Sequence, residues 1–342
     1  MTAGADARKT GVKILIVKPS SLGDVIHALP TVRILRRAFP QAHIAWLIND
    51  TFAPILDGCP IIDRVIPFAR RRLGCLTSLP EAIRFARSLR SENFDWTVDL
   101  QCLLRSALIS KLSGAKRRTG LADGREGSTL FYNEIVKLPP PPTHAVDRYL
   151  MLPRQLGLEV DRVEFPLGGA PVAEREKLIL INPGARWASK RWPADRFAEL
   201  LDALAARWPD HRLALLGSPD ERPLAESIAA GAKAKADILA GRTTLPELTA
   251  LMRRARLMIS NDTGPLHLAV AVGTPTVSMF GPTDPRRTGP YPPDGASNIV
   301  LTAKVDCAHC FKPDCRHAPE LQCMTFITAE QVVAAAAKLV RE

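Results

Sequence analysis

An apolar run at 12–17 stops at the loop Lys18-Pro19-Ser20-Ser21-Leu22-Gly23-Asp24, and an amphipathic stretch follows from Val25 to Ala38. Val25, Ile26, Leu29, Val32 and Leu35 recur at three- and four-residue steps, which predicts a helix with one apolar face. This strand–loop–helix unit then repeats. Strands are expected at 12–17, 43–48, 63–67 and 95–100, and helices at 24–38, 77–91, 103–113 and 144–157. The pattern restarts in the second half, with strands at 177–181, 212–216, 257–260 and 275–279 and helices at 194–207, 219–230, 245–255 and 265–272. Alternation with short links predicts an α/β fold built on mostly parallel, doubly wound sheets.

A chain of 342 residues is comfortable for two cores. The segment from Phe165 to Ala173, with two Gly and two Pro, is the expected boundary. Pro139 to Pro142 reads instead as a stiff surface connection, because the helix after it would have no lobe of its own. The expected domains are therefore 1–167 and 168–327, followed by a closing helix at 328–342. Thr328 is its expected N-cap, with Gln331 at the capping-box position.

The net charge of +11 favours anionic partners: nucleic acid, acidic lipid or phosphorylated small molecules. Basic residues cluster at Arg70-Arg71-Arg72, Lys116-Arg117-Arg118 and Arg253-Arg254-Arg256, each of which also reads as a solvated face. No zinc-finger or RNA-recognition signature is present and only three tyrosines occur, which weighs against nucleic acid. No apolar run approaches the roughly 20 residues of a membrane span. The first eleven residues lack a signal-peptide core. A cytoplasmic protein is expected, and seven cysteines in this length do not make a disulfide scaffold.

In open α/β sheets chemistry gathers where strands end and helices begin. Asp24 stands at such a point and reads either as a helix N-cap or as a catalytic carboxylate; His27, one turn on, reads as a packed residue, with an alternative base or a hydrogen-bond partner as the other readings. Gly23 permits close approach of a ligand, and the first-turn N–H groups attract anions. The segment Asn182 to Pro193 follows an apolar strand and holds Gly184, Arg186 and Lys190, where Lys190 suits a phosphate oxygen. Asp262-Thr263-Gly264-Pro265-Leu266-His267 has a proline suited to a first helical turn and donors suited to a diphosphate. Glu221, after the strand at 212–216, could accept from ribose hydroxyls or serve as an ordinary first-turn acid. Cys307, Cys310, Cys315 and Cys323 form C-x2-C-x4-C-x7-C, in which a reduced loop is the expected state and metal the alternative. The fingerprint G-x-G-x-x-G is missing from these turns, against a dehydrogenase.

These motifs, with Phe280-Gly281-Pro282-Thr283-Asp284-Pro285, resemble the lipopolysaccharide heptosyltransferases, glycosyltransferase family 9, from about residue 12 to 340. Val98-Asp99-Leu100-Gln101, Leu130-Phe131-Tyr132-Asn133 and His144-Ala145-Val146-Asp147-Arg148 look most like the heptosyltransferase I branch; the cysteine-rich tail looks more like heptosyltransferase II. The resemblance implies a GT-B fold of two Rossmann-like lobes facing across a cleft, with the closing helix crossing back onto the first. It implies inverting, metal-independent and cofactor-free transfer of heptose from ADP-heptose to a Kdo-lipid A acceptor. The implied setting is the inner face of the inner membrane. By resemblance Asp24 is the general base and Lys190 the catalytic cation. Ser20, Ser21, Gly23, Arg186, Lys190, Glu221, Asp262, Thr263, Gly264 and His267 would serve the donor, and Arg70, Arg71, Arg72 and Arg125 the acceptor. The rival expectations are another GT-B sugar-nucleotide enzyme, such as an epimerase, and a noncatalytic basic nucleotide- or RNA-binding protein.

Overall fold

A computed structural model describes residues 11–69, 79–170 and 172–340. The chain separates into two compact units, Met1–Gly168 and Gly169–Glu342. In the first, β1 (Lys13–Val17), α1 (Leu22–Ala38), β2 (His43–Asn49), β3 (Arg64–Phe68), α2 (Leu79–Ser91), β4 (Trp96–Asp99), α3 (Leu104–Leu112), β5 (Arg117–Leu121), β6 (Glu134–Val136) and α4 (Ala145–Gln155) follow one another. The second runs β7 (Glu176–Asn182), α5 (Ala194–Arg207), β8 (Arg212–Leu215), α6 (Arg222–Gly231), β9 (Asp237–Ile238), α7 (Leu245–Arg254), β10 (Ala255–Asn261), α8 (Gly264–Ala271), β11 (Thr276–Phe280), α9 (Pro285–Thr288), β12 (Asn298–Thr302), α10 (Gln322–Thr325) and α11 (Ala329–Leu339).

The first sheet has the order β3-β2-β1-β4-β5-β6 and the second β12-β11-β10-β7-β8-β9. Read from its own first strand, the second sheet repeats the order of the first, and the paired strands in both run parallel. In each, the order reverses between the first and fourth strands, β1 beside β4 and β7 beside β10. That reversal opens a crevice at the carboxyl ends, where doubly wound sheets bind ligands.

Ile14, Leu15, Ile16 and Val17 are fully buried, which is why β1 is continuously apolar after Lys13 rather than alternating. Leu15, Val17, Ala45 and Leu47 pack on one sheet face with Leu89 of α2 and Ile109 of α3. In the second unit Ile179, Ile181, Leu257 and Ile259 pack with Phe197, Leu200 and Leu204 of α5.

Two expectations, on the number of strands and on the basic clusters, need correction. The closing helix, α11, buries Val332, Ala335 and Ala336 in the core of the second unit and packs on α5 and β11. Its Thr328–Gln331 capping box is present: Thr328 Oγ1 accepts from Gln331 N at 3.3 Å, and Gln331 Oε1 accepts from Thr328 N at 3.0 Å. Four strands, β5, β6, β9 and β12, escape the apolar pattern because they are short, edge-lying or charged. Arg117 in β5, read as part of a basic patch, is paired to Glu134 at 2.8 Å, and Arg254 pairs with Glu176 at 2.9 Å.

Candidate functional site

At the first reversal, the loops after β1 and β4 meet where Ser20 N donates to Gln101 Oε1 at 3.3 Å. Ser21, not Asp24, is the N-cap of α1; Asp24 is the third helical residue and closes a capping box. Its Oδ2 accepts from Ser21 N at 3.0 Å and from Ser21 Oγ at 2.8 Å. The Asp24 side chain remains 40% exposed, while the Nζ of Lys18, at 3% exposure, lies 4.0 Å from its Oδ1. A solvent-facing carboxylate thus stands over a buried ammonium.

Lys18 is held from below by α4. Its Nζ lies 5.3 Å from the ring centroid of Tyr149, and Arg148 sits 5.2 Å from the same ring. Arg148 in turn donates to both oxygens of Asp123, at 2.7 and 2.6 Å. Burial pulls the Lys18 pKa down, but Tyr149 and Asp24 outweigh it and leave the pKa raised. His27 is buried and edge-on to His144 at 5.4 Å.

Gln101 is positioned by a buried carboxylate. Asp99 Oδ1 accepts from Gln101 N at 2.9 Å and Cys102 N at 3.0 Å, and its Oδ2 accepts from the Tyr132 hydroxyl at 2.7 Å. Burial pushes the Asp99 carboxyl up. Gly120 must lack a side chain, because a Cβ there would sit 2.2 Å from the Tyr132 ring. Arg125 is exposed, and its N–H anchors to Cys102 O at 3.0 Å. A cavity of about 390 Å³ opens among Pro19, Ser20, Gln101, Leu104, Leu108 and Glu126. Arg70, Arg71 and Arg72 lie outside the described residues.

The second reversal joins the ends of β7 and β10. Asn182 Nδ2 donates to Thr263 Oγ1 at 3.2 Å, Asn261 Nδ2 to Pro183 O at 2.8 Å, and Trp192 N to Asn261 Oδ1 at 3.3 Å. Thr263 caps α8 without a side-chain bond to its first turn. Lys190 Nζ donates to Asp262 Oδ2 at 2.7 Å and lies 4.7 Å from the Trp187 ring centroid. Thr283 Oγ1 donates to the same carboxylate oxygen at 2.7 Å, and His267 Nε2 is 3.6 Å from Oδ1. Burial opposes ionisation of Asp262, but His267 and Lys190 outweigh it and hold its carboxyl at about 2.

Glu221 reaches over Gly184: a Cβ on Gly184 would meet its Oε1 at 2.0 Å. Arg186 is exposed on the same loop and Gly264 opens α8, whereas Gly23 is buried in the first turn of α1. Ser20, Ser21, Gly23 and Asp24 therefore belong to the first unit, and Arg186, Lys190, Glu221, Asp262, Thr263, Gly264 and His267 to the second. The cysteine-bearing segment props that second set. Lys312 O accepts from Ser189 Oγ at 2.6 Å, and His309 Nδ1 lies 3.0 Å from Thr283 O. Burial and the neighbouring thiols push Cys323 up to about 11. Among the described residues, no group of three or more His, Cys, Asp or Glu side chains is placed to hold a metal ion.

Residues 82–320 match glycosyltransferase family 9 (heptosyltransferase). The chain belongs to glycosyltransferase family 9. Within the family it is 34% identical over 327 residues to lipopolysaccharide heptosyltransferase 1 of Pseudomonas aeruginosa, covering 90% of this chain and 88% of that protein. The family 9 glycosyl transferase from Veillonella parvula superposes with a TM-score of 0.80 at 25% identity, covering 96% and 97% of the two chains. The E. coli heptosyltransferase WaaC with ADP-2-deoxy-2-fluoro heptose gives a TM-score of 0.76 at 26% identity, covering 96% and 100%. The two Rossmann-like units are thus those of a GT-B type glycosyltransferase. Three neighbours of these carboxylates, Lys18, Tyr149 and Trp187, carry no strong sequence signal, whereas Thr283 lies in the Phe280–Pro285 motif. The one available cue is Lys18, a charged residue that follows the apolar end of β1.

Proposed function

We propose that this glycosyltransferase transfers heptose from ADP-heptose to the Kdo-bearing lipid A inner core of lipopolysaccharide, with inversion. The observation that carries the reading is Asp24, an exposed carboxylate at the first reversal with its ammonium partner buried beneath it. Asp24 takes the proton of the acceptor hydroxyl as the new oxygen–carbon bond forms. The bond from the sugar carbon to the β-phosphate breaks, and its electron pair leaves on the phosphate oxygen. A cation and helix N–H groups that tighten on that charge lower the barrier.

Lys190 and the start of α8 supply that stabilisation. Lys190 has three donors and spends one on Asp262, leaving others for a phosphate oxygen. Asp262, with Thr283 and His267 around it, acts as the clamp that fixes Lys190 rather than as a group offered freely to solvent. Glu221 and Arg186 serve the nucleoside end of the donor. Arg70, Arg71, Arg72 and Arg125 serve the anionic acceptor, which is presented at the inner face of the inner membrane.

The test is a donor panel of ADP-, UDP- and GDP-sugars against defined Kdo-lipid A, with ADP release and glycolipid product both measured. Turnover with ADP-heptose alone is expected. Nucleotide release without consumption of acceptor would overturn the transfer.

A further inference from the structure

The outer surfaces of α2 and α3 carry a pattern that packing of the first unit does not use. These helices lie side by side on one face of the first sheet, where Leu89 and Ile109 point into the core. Outward, α3 exposes Leu104 at 38%, Leu108 at 40% and Leu112 at 48%, and α2 exposes Ile83 at 42%. The three leucines are spaced four residues apart, which aligns them along one side of the helix. Core residues of a water-facing helix would not repeat in this way on the exposed side.

Charge surrounds this stripe. Arg84, Arg87 and Arg90 on α2 and Arg105 and Lys111 on α3 are exposed, and Glu81 is the sole acid within either helix. Apolar side chains flanked by long cationic ones are the composition of a surface that rests in the headgroup layer of an anionic bilayer. No helix among the described residues is long and apolar enough to cross a membrane, so contact of this kind is superficial. The face also borders the site: Leu104 and Leu108 line the same cavity as Pro19 and Ser20, in the loop that leads to Asp24.

We propose that the α2–α3 face docks on an anionic lipid bilayer, with Leu108, Leu112 and Ile83 entering the interface and Arg84, Arg87, Arg105 and Lys111 meeting lipid phosphates. This takes from the proposed function only that the acceptor is a membrane lipid. A phosphate-rich surface supplies the charge complement, and the leucines supply apolar contact that a soluble polyanion such as RNA does not offer.

The test is co-sedimentation of the full chain with vesicles of phosphatidylcholine, alone or with roughly one-third phosphatidylglycerol. These vesicles contain no sugar acceptor, so the result stands whether or not transfer activity is found. The chain is expected to bind the anionic vesicles, to release them at high salt, and to ignore the neutral ones. Arg84→Gln with Arg87→Gln should weaken partitioning about 25-fold, since one basic residue contributes about fivefold. Leu108→Ser with Leu112→Ser should weaken it about tenfold. Lys233→Gln with Lys235→Gln, exposed in the second unit, should change nothing. Equal binding to neutral and anionic vesicles overturns the proposal, as does parental binding by the arginine pair. Those arginines are exposed, so the arginine pair still tests the proposal even if the leucine pair fails to fold.

Discussion

Lys190 donates to Asp262 at 2.7 Å across 72 residues of sequence, tying the loop after β7 to the end of β10. The acceptor carboxylate is 5% exposed and the lysine 18%. A buried charge with one strong partner is costly to orphan. Lys190→Met should therefore lower stability by about 3 kcal/mol, read as a fall in the midpoint of urea unfolding. It should also lower kcat by about a hundredfold or more, because the cation proposed to steady the leaving group is lost. Asp262→Asn, which keeps the shape but loosens the lysine, should lower kcat less while raising the KM for donor.

The same carboxylate sets an acid limit. Its folded pKa is held at about 2, below the ordinary 3.8, so its stabilising contribution is complete above the higher value and is lost as pH falls through the lower one. About 2 kcal/mol is at stake. Acid unfolding followed by far-UV circular dichroism should show a loss of stability beginning below about pH 4. In Lys190→Met that window should move upward, because the cation that favours the charged form is gone.

Lys18 gives a prediction that separates positioning from packing. It lies 4.0 Å from Asp24, and that carboxylate helps to raise the lysine's own pKa. Lys18→Met fills the space without the charge. Its kcat should fall by about tenfold with little change in the KM for donor, and Lys18→Arg should restore part of the loss. An unchanged kcat in a folded Lys18→Met would remove the lysine from the mechanism.

Gly184→Ala places a methyl group where the Glu221 carboxylate now lies, 2.0 Å from Oε1. Glu221 is a flexible side chain and can swing away, so stability should change by less than about 1 kcal/mol. The displaced acid should raise the KM for donor several-fold with little effect on kcat. Gly120→Ala is a harsher case, since the obstacle is the buried Tyr132 ring that donates to Asp99. Its cost should reach about 3 kcal/mol in unfolding experiments.

Much of this architecture is legible in the chain because long apolar runs such as 12–17 and 257–260 are buried on both faces and leave little ambiguity. The loops that carry Asp24, Lys190 and Asp262-Thr263 are legible because each comes after such an apolar strand. The strand at Arg117–Leu121 is not, since its arginines are held by Glu134 and by Phe131 O, partners distant from it in sequence. Asp24's exact place is also hidden: Ser21 and Asp24 both have capping chemistry, and only the three-dimensional turn decides which is the cap. Lys18 is hidden for a further reason. Its role depends on Tyr149, more than a hundred residues away, whose ring covers it from α4.

The most direct measurement is turnover of Asp24→Asn with ADP-heptose and Kdo-lipid A, set beside calorimetric binding of ADP-heptose to the same variant. The amide keeps the size of the side chain but cannot take a proton, so kcat should fall by about a hundred- to ten-thousandfold while donor affinity stays within about twofold of the parent. Near-parental turnover by Asp24→Asn would contradict the assignment of this carboxylate as the base.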